Sequence, residues 1–222
     1  CSVNEYGAVG DGIHDDTVAI QAAMRAGKPV VYFRQGKYRI NRPVEVPETV
    51  NRVNFMFADL VAGDELKRMD NAGTFRIVGQ SSTPLILEDL FAWEEYYGFQ
   101  HLIDHATART LILSDLHSQT GALYRNSVSG GKVYIENIAC TIGSLDALED
   151  IRESGFGHTP NLVFNGQQVW ARQLNPERAL QEVVNNGSTL WVLGFKTEGC
   201  GTAFKTSGGG STEVLGCLLY TS

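Results

Sequence analysis

The chain has 222 residues, of which 43% are hydrophobic, and this composition suits one domain or one elongated repeat array. Its formal net charge of −7 and the absence of a run of Lys and Arg argue against nucleic acid and anionic membrane surfaces as partners. No apolar stretch approaches the roughly 20 residues that cross a bilayer. We therefore expect neither a nucleic-acid complex nor a membrane span.

The first forty residues carry a strong local pattern. Residues 2–8 predict a strand, and residues 9–12, Val-Gly-Asp-Gly, predict a tight turn in which glycine supplies positive φ. Asp15 and Asp16 then favour the start of a helix over residues 16–26, because carboxylates cap and stabilise a helix N-terminus. We interpret these aspartates as turn and cap residues rather than as a catalytic cluster.

The predicted helix places Ile20, Ala23 and Met24 on one face. Residues 30–33 and 37–40 follow it as a predicted pair of strands. We assign residues 1–40 to an N-terminal cap made of a strand, a turn, a helix and this strand pair.

The opening motif resembles the start of the pectate-lyase-like superfamily of right-handed parallel β-helices. The resemblance rests on Gly-Ala-x-Gly-Asp-Gly-x-x-Asp-Asp-Thr at residues 7–17 and on Ala-Ile-Gln-Ala-Ala at residues 19–23. It departs at residues 34–35, Arg-Gln, where the family usually has proline before the glycine. The resemblance implies a helix that plugs the end of a β-helix, and activity on polysaccharides, as in polygalacturonases, pectate lyases, glucanases, uronate epimerases and phage tail fibres.

A hexapeptide pattern then recurs six times, 21 to 36 residues apart, with apolar first, third and sixth places and a turn-forming fifth place. The copies are Phe55–Leu60, Leu85–Leu90, Leu111–Leu116, Val133–Ile138, Val169–Leu174 and Leu190–Phe195. Short apolar strands that turn a corner at this spacing predict a solenoid. We expect an all-β fold, a single-stranded right-handed parallel β-helix with a short N-terminal capping α-helix, whose coils occupy residues 41–216.

The last six residues differ from the rest. Cys217–Ser222 resembles the translation of a transposon mosaic end used in sequencing libraries. We therefore expect residues 217–222 to be a non-native tail.

The second place of the repeat predicts a column of outward side chains, because residues alternate between the two faces of a strand. It includes Tyr134, Trp170 and Trp191, whose rings would stack along one face of the solenoid. Aromatic faces pair with the apolar faces of sugars, so we predict these three residues as a substrate-binding ribbon. The alternative is that a loop or second domain covers them.

The fourth place contains Glu88 and Glu136, which would lie two rungs apart, roughly 9.5 Å. This separation is near the upper limit for the two carboxylates of an inverting glycosidase, so we name them as catalytic candidates. The alternative is that both are solvated surface acids.

The fifth place runs through Asp59, Asp89, Asp115 and Asn137, and we expect these residues to occupy a left-handed corner. We predict no metal site and no cofactor, and we keep a Ca²⁺ bound by this ladder as the alternative. The segment His101-Leu-Ile-Asp-His105 does not change this view, because strand residues four apart lie about 13 Å apart and cannot share one ion.

The function predicted from these observations is a secreted polysaccharide-active protein, a glycoside hydrolase or polysaccharide lyase located outside the cell, in the periplasm or on the cell surface. The alternatives are a glycan-binding adhesin, a phage tail fibre and a structural module. The polygalacturonase motifs Asn-x-Asp, Asp-Asp and Gly-His-Gly are absent from residues 41–216, which argues against a complete site of that type. We therefore expect the coils that carry catalysis in the relatives to lie beyond this chain.

Overall fold

The chain folds into two parallel β-sheets, which we call sheet A and sheet B. The computed structural model describes residues 1–69, 73–92, 99–119, 121–141, 159–199 and 201–220. Sheet A contains β1 (Asp11–Asp15), β2 (Val30–Tyr32), β3 (Lys37–Ile40), β5 (Arg52–Asn54), β6 (Asp59–Ala62), β8 (Leu85–Ala92), β10 (Leu111–Ser118), β12 (Lys132–Thr141), β14 (Gln168–Glu177), β16 (Thr189–Glu198) and β18 (Ser211–Tyr220). Sheet B contains β4 (Val44–Val46), β7 (Gly73–Ile77), β9 (Phe99–His105), β11 (Gly121–Asn126), β13 (Leu162–Asn165), β15 (Gln181–Asn186) and β17 (Thr202–Ser207).

Successive strands of each sheet pair in parallel, so the chain alternates between the sheets and advances by one rung per coil. This is the predicted parallel β-helix. Inside it, the first places of five repeats lie in direct register and are fully buried: Leu85, Leu111, Val133, Val169 and Leu190. The third and sixth places of the same copies are also buried. The apolar pattern of the repeat is therefore the pattern of the core.

The long strands of sheet A bend at the fifth place of the repeat. Asp89, Asp115, Asn137 and Gln173 have φ between 53° and 57°, and Gly194 has φ 82°. One left-handed residue turns the strand through a corner, and neighbouring strands stay in register before and after that corner. Each strand therefore contributes to two faces of the solenoid. The predicted left-handed corner is confirmed for these copies.

The predicted register of the first repeat copy, Phe55–Leu60, with the later copies is wrong. Arg52, not Met56, pairs with Ile86, and Asp59 pairs with Phe91 beyond the corner. The corner of this coil uses two left-handed residues, Met56 and Phe57, and is therefore longer than the others.

The longer corner changes which side chains of the first copy point inward. Phe57 is 62% exposed where a core residue was expected, Ala58 is buried where an outward residue was expected, and Asp59 does not have a positive φ. The one-residue corner of the later copies therefore does not extend to this coil.

The N-terminal cap contains the predicted helix, α1 (Thr17–Met24), and Ile20, Ala23 and Met24 on it are fully buried. The predicted strand over residues 2–8 is wrong. Val3–Tyr6 form a 3-10 helix, because the Ser2 hydroxyl accepts the Asn4 N–H and Gly7 closes the turn in the left-handed region at φ 100°.

A short helix, α2 (Asp64–Lys67), follows β6. No helix within the described ranges has the length and apolar character needed to cross a membrane. The coil pattern continues past the last repeat copy, because β18 pairs with β16 and Gly216 repeats the left-handed corner at φ 76°. The non-native origin of residues 217–222 stays a prediction.

Candidate functional site

Three aromatic rings stack on the outer face of sheet A, and we call Tyr134, Trp170 and Trp191 the aromatic ribbon. They come from β12, β14 and β16, whose register places them directly above one another. Their ring centroids lie 5.0 and 5.2 Å apart, with interplanar angles of 11° and 15°. This spacing is that of the strands themselves, so the backbone of the solenoid builds the stack.

The aromatic ribbon is open to solvent in the structure. Tyr134 is 40% exposed and Trp191 38% exposed, while Trp170 between them is half-buried. Because the rings lie nearly parallel, each covers part of the face of its neighbour. A ligand would therefore meet mainly the ring edges, because Ile112 and Glu213 occupy the same column on the rungs beyond the two terminal rings.

A groove of about 480 Å³ runs beside the aromatic ribbon along the solenoid axis. The opposite wall of the groove consists of the side chains at the fourth place of the repeat. Its floor is the strand backbone at the third place, at Ile135, Ala171 and Val192. The fourth-place residues that line it are Ser114, Glu136, Arg172, Leu193 and Leu215. The groove thus combines aromatic and aliphatic walls with few polar groups, which is typical of sites for ligands with both apolar and polar surface.

The two carboxylates proposed as catalytic lie in the fourth-place column, with Ser114 on the rung between them. Glu88 accepts a hydrogen bond from the Asn54 side chain at 2.8 Å, and the Arg52 guanidinium lies 3.4 Å away. Glu136 forms an ion pair with Arg172 at 2.7 Å. Of the two, only Glu136 lines the groove, so the structure does not bring both carboxylates to the same part of it.

The fifth-place ladder forms hydrogen bonds between rungs. The Asn137 amide donates to the Asp115 carboxylate at 2.7 Å, and this bond lowers the pKa of Asp115. On the preceding coils, Asn54 donates to Asp89 at 3.0 Å. Among the described residues, no three His, Cys, Asp or Glu side chains converge on a point where a metal ion would fit.

The aspartates of the opening motif bind backbone. The Asp11 carboxylate accepts the N–H groups of His14 and Ile13, which lowers its pKa to about 2. Asp16 accepts the N–H groups of Val9 and Gly10, at 2.6 and 3.1 Å, and so joins the turn to α1. These contacts agree with a structural role for the motif.

Sequence reasoning missed a charged column on the outer face of sheet B. Arg76, Asp104 and Arg125 come from adjacent strands in register, and the carboxylate of Asp104 lies 3.5 Å from each guanidinium. Asp104 is 4% exposed. We call these three residues the charged column; no repeat in the sequence marks it, because the strands of sheet B share no common hexapeptide.

Two buried histidines come from the same strand as Asp104. Burial, and secondarily the charge of Arg125, lowers the pKa of His101 to about 3, and burial lowers that of His105 to about 4. His105 contacts the Tyr124 hydroxyl at 2.9 Å, and that hydroxyl donates to Gln167 at 2.9 Å. Both imidazoles are thus neutral groups of the protein interior at physiological pH.

The architecture and the opening motif have a direct counterpart among known proteins. A family model described as rhamnogalacturonase A/epimerase, pectate lyase-like matches residues 1–205. The chain belongs to this family. The expected superfamily is therefore confirmed, over far more of the chain than the forty residues that indicated it.

The individual proteins that resemble this chain share only a modest part of its sequence. A probable glucan endo-1,3-beta-glucosidase of Arthroderma benhamiae is 24% identical, covering 98% of this chain and 27% of the relative. Mannuronan C5-epimerase AlgE6 of Azotobacter vinelandii is 33% identical, covering 37% of this chain and 10% of the relative. The chain spans less than a third of the length of the curated relatives it matches.

Among solved structures, the surface protein and adhesin PfbA of Streptococcus pneumoniae superimposes with a TM-score of 0.60. The match has 16% sequence identity and covers 90% of this chain and 67% of that one. At this identity the likeness establishes the β-helical fold.

Proposed function

We propose that this chain is the glycan-binding β-helix of a secreted or cell-surface protein that acts on a polysaccharide, and that the sugar chain lies along the aromatic ribbon. The observation that carries this proposal is the exposed stack of Tyr134, Trp170 and Trp191 beside an axial groove. Membership of the family, together with a glucan-cleaving relative and an adhesin that shares the fold, supports it.

The chemistry of the groove suits a sugar chain. The edge of an aromatic ring carries partial positive charge, so it attracts hydroxyl and ring oxygens. Leu193 and Leu215 on the opposite wall offer further apolar contact. Because the same kinds of contact recur on successive rungs along the axis, the site suits a polymer with repeated units.

Replacing each ring by alanine tests this proposal. We expect each single replacement, Tyr134→Ala, Trp170→Ala or Trp191→Ala, to reduce the free energy of glycan binding by about 1 kcal/mol. This loss is typical of a partly exposed aromatic contact. Screening pectins, β-glucans and alginate by tryptophan fluorescence identifies the glycan, and calorimetry then measures the variants.

Tyr6→Ala serves as a matched control. Tyr6 is a similarly exposed aromatic residue, at 37%, but it lies on the N-terminal 3-10 helix. The binding proposal fails if no glycan binds, or if the three ribbon variants behave like this control.

Catalysis by this chain is a second candidate function. The specific observation in its favour is that Glu88 and Glu136 share one column two rungs apart, roughly 9.5 Å at the strand spacing, near the upper limit for an inverting glycosidase. We propose that the whole protein is a glycoside hydrolase or polysaccharide lyase, and we expect at most feeble cleavage from this chain alone.

Reducing-end release from the bound glycan, followed by Glu88→Gln and Glu136→Gln, tests this candidate. Strong cleavage that either variant abolishes would place the catalytic centre on this column. Tight binding without any cleavage would exclude a catalytic centre on this column.

A further inference from the structure

The charges around the groove bear on which polysaccharide fits it. Among the described residues that line the groove, the charged ones are Glu136, Arg172 and Glu213. Glu136 and Arg172 neutralise each other through their 2.7 Å ion pair. The groove therefore presents one guanidinium against two carboxylates.

Glu213 lies at one end of the aromatic ribbon. It pairs with Trp191 in the register of β16 and β18, so its carboxylate is the next member of the second-place column that forms the aromatic ribbon. A polymer that follows the ribbon along the axis meets this exposed carboxylate directly after the last ring. The rest of the groove wall at this end is apolar, with Leu193 and Leu215.

A polyuronate carries a negative charge on every sugar. Placing such a chain along the ribbon would bring its carboxylates close to Glu213, and like charges at an interface suppress binding. The only guanidinium of the described lining is already bound to Glu136, so using it for a polyuronate would break an existing ion pair. The net charge of −7 adds a long-range repulsion of the same sign.

We infer that the groove selects an uncharged, hydroxyl-rich glycan over a polyuronate, with Glu213 as a specificity-determining residue. This inference rests on the proposed glycan-binding function and names the class of polymer that the same site takes. An uncharged glycan gains the aromatic and aliphatic contacts without electrostatic cost. Its hydroxyl groups can also donate to the Glu213 carboxylate.

Calorimetric titration with two polymers tests the inference: a soluble neutral β-glucan and polygalacturonate, each at low and at physiological salt. We expect the neutral glucan to bind at least tenfold more tightly at low salt. The difference should narrow as salt rises, because ions screen the repulsion between exposed charges.

Charge reversal at the end of the ribbon sharpens the test. We expect Glu213→Lys to narrow the ratio of the two affinities at least threefold. Glu5→Lys makes the same change in net charge at an exposed position on the N-terminal 3-10 helix, and we expect it to leave the ratio nearly unchanged.

The outcomes separate the two proposals. Equal or tighter binding of polygalacturonate would overturn the selectivity while leaving a glycan-binding site in place. An equal effect of the two lysine variants would overturn the role of Glu213. Binding of neither polymer, when no other glycan of the screen binds either, would overturn the proposed function and this inference with it.

Discussion

The aromatic ribbon and the charged column are built by the same geometry on opposite sheets of the solenoid. Each takes one outward side chain from three successive rungs. In the ribbon the three side chains are alike and keep exposed edges, whereas in the charged column a buried carboxylate is held between two guanidinium groups.

The two columns show how outward side chains on a solenoid can serve either binding or stability. Stacked rings satisfy one another only in part, so their edges remain available to a ligand. The charges of Arg76, Asp104 and Arg125 are largely engaged with each other. We therefore expect the charged column to contribute mainly to stability and the ribbon mainly to binding.

The largest expected effect comes from the core that both columns share. Leu113 is fully buried on β10, so Leu113→Asp places a charge in the apolar interior and should destabilise the fold by several kcal/mol. Ile112→Asp on the outward side of the same strand is the control. Urea unfolding measures both, and similar midpoints for the two variants would contradict the assignment of inner and outer faces.

Glu182 on β15 gives a smaller, pH-dependent effect. Burial, with a further contribution from the charge of Glu177, raises its pKa to about 7, although the Thr197 hydroxyl donates to it at 2.6 Å. The folded state therefore keeps a proton that the unfolded chain releases between about pH 4.5 and 7. The stability due to this proton is fully present below pH 4.5 and is lost as pH rises through 7.

We expect Glu182→Gln to remove this dependence. The stability of the variant relative to the parent should rise by about 3 kcal/mol between pH 4.5 and pH 8. Urea unfolding at the two pH values measures the difference, and a constant difference for Glu182→Gln would contradict the raised pKa of Glu182.

Removal of the central residue of the charged column comes next. Asp104→Asn leaves Arg76 and Arg125 facing each other without a carboxylate, and we expect a loss of about 2 kcal/mol, reduced from the value for a fully buried pair because both arginines reach solvent. Glycan binding should not change. A loss of affinity without a loss of stability would instead assign a binding role to the charged column.

The smallest effect on stability is expected for the corresponding change in the aromatic ribbon. Trp170→Ala removes both stacking contacts and should cost about 1 kcal/mol of folding free energy. Trp170→Phe keeps a stacked ring and is the control. A loss much larger than that of Asp104→Asn would reverse the proposed division between the two columns.

The sequence alone determined the inward and outward pattern of sheet A between residues 85 and 195. In a parallel solenoid each rung repeats the same environment, so Leu85, Leu111 and Val133 are apolar for the same reason and the pattern can be read directly. The stack of Tyr134, Trp170 and Trp191 was predicted from that register. The capping helix was predicted separately, from the aspartates and glycines that flank it.

Features that depend on the path between repeats became visible only in the folded chain. The two-residue corner at Met56 and Phe57 shifted the first copy, although its letters matched the pattern. Arg109 is 1% exposed and donates to the carbonyls of Val50 and Thr83 from other coils, and nothing in its neighbours along the chain marks it as buried. The charged column likewise joins residues 21 and 28 positions apart, because loop length rather than residue type sets which side chains meet across the rungs of sheet B.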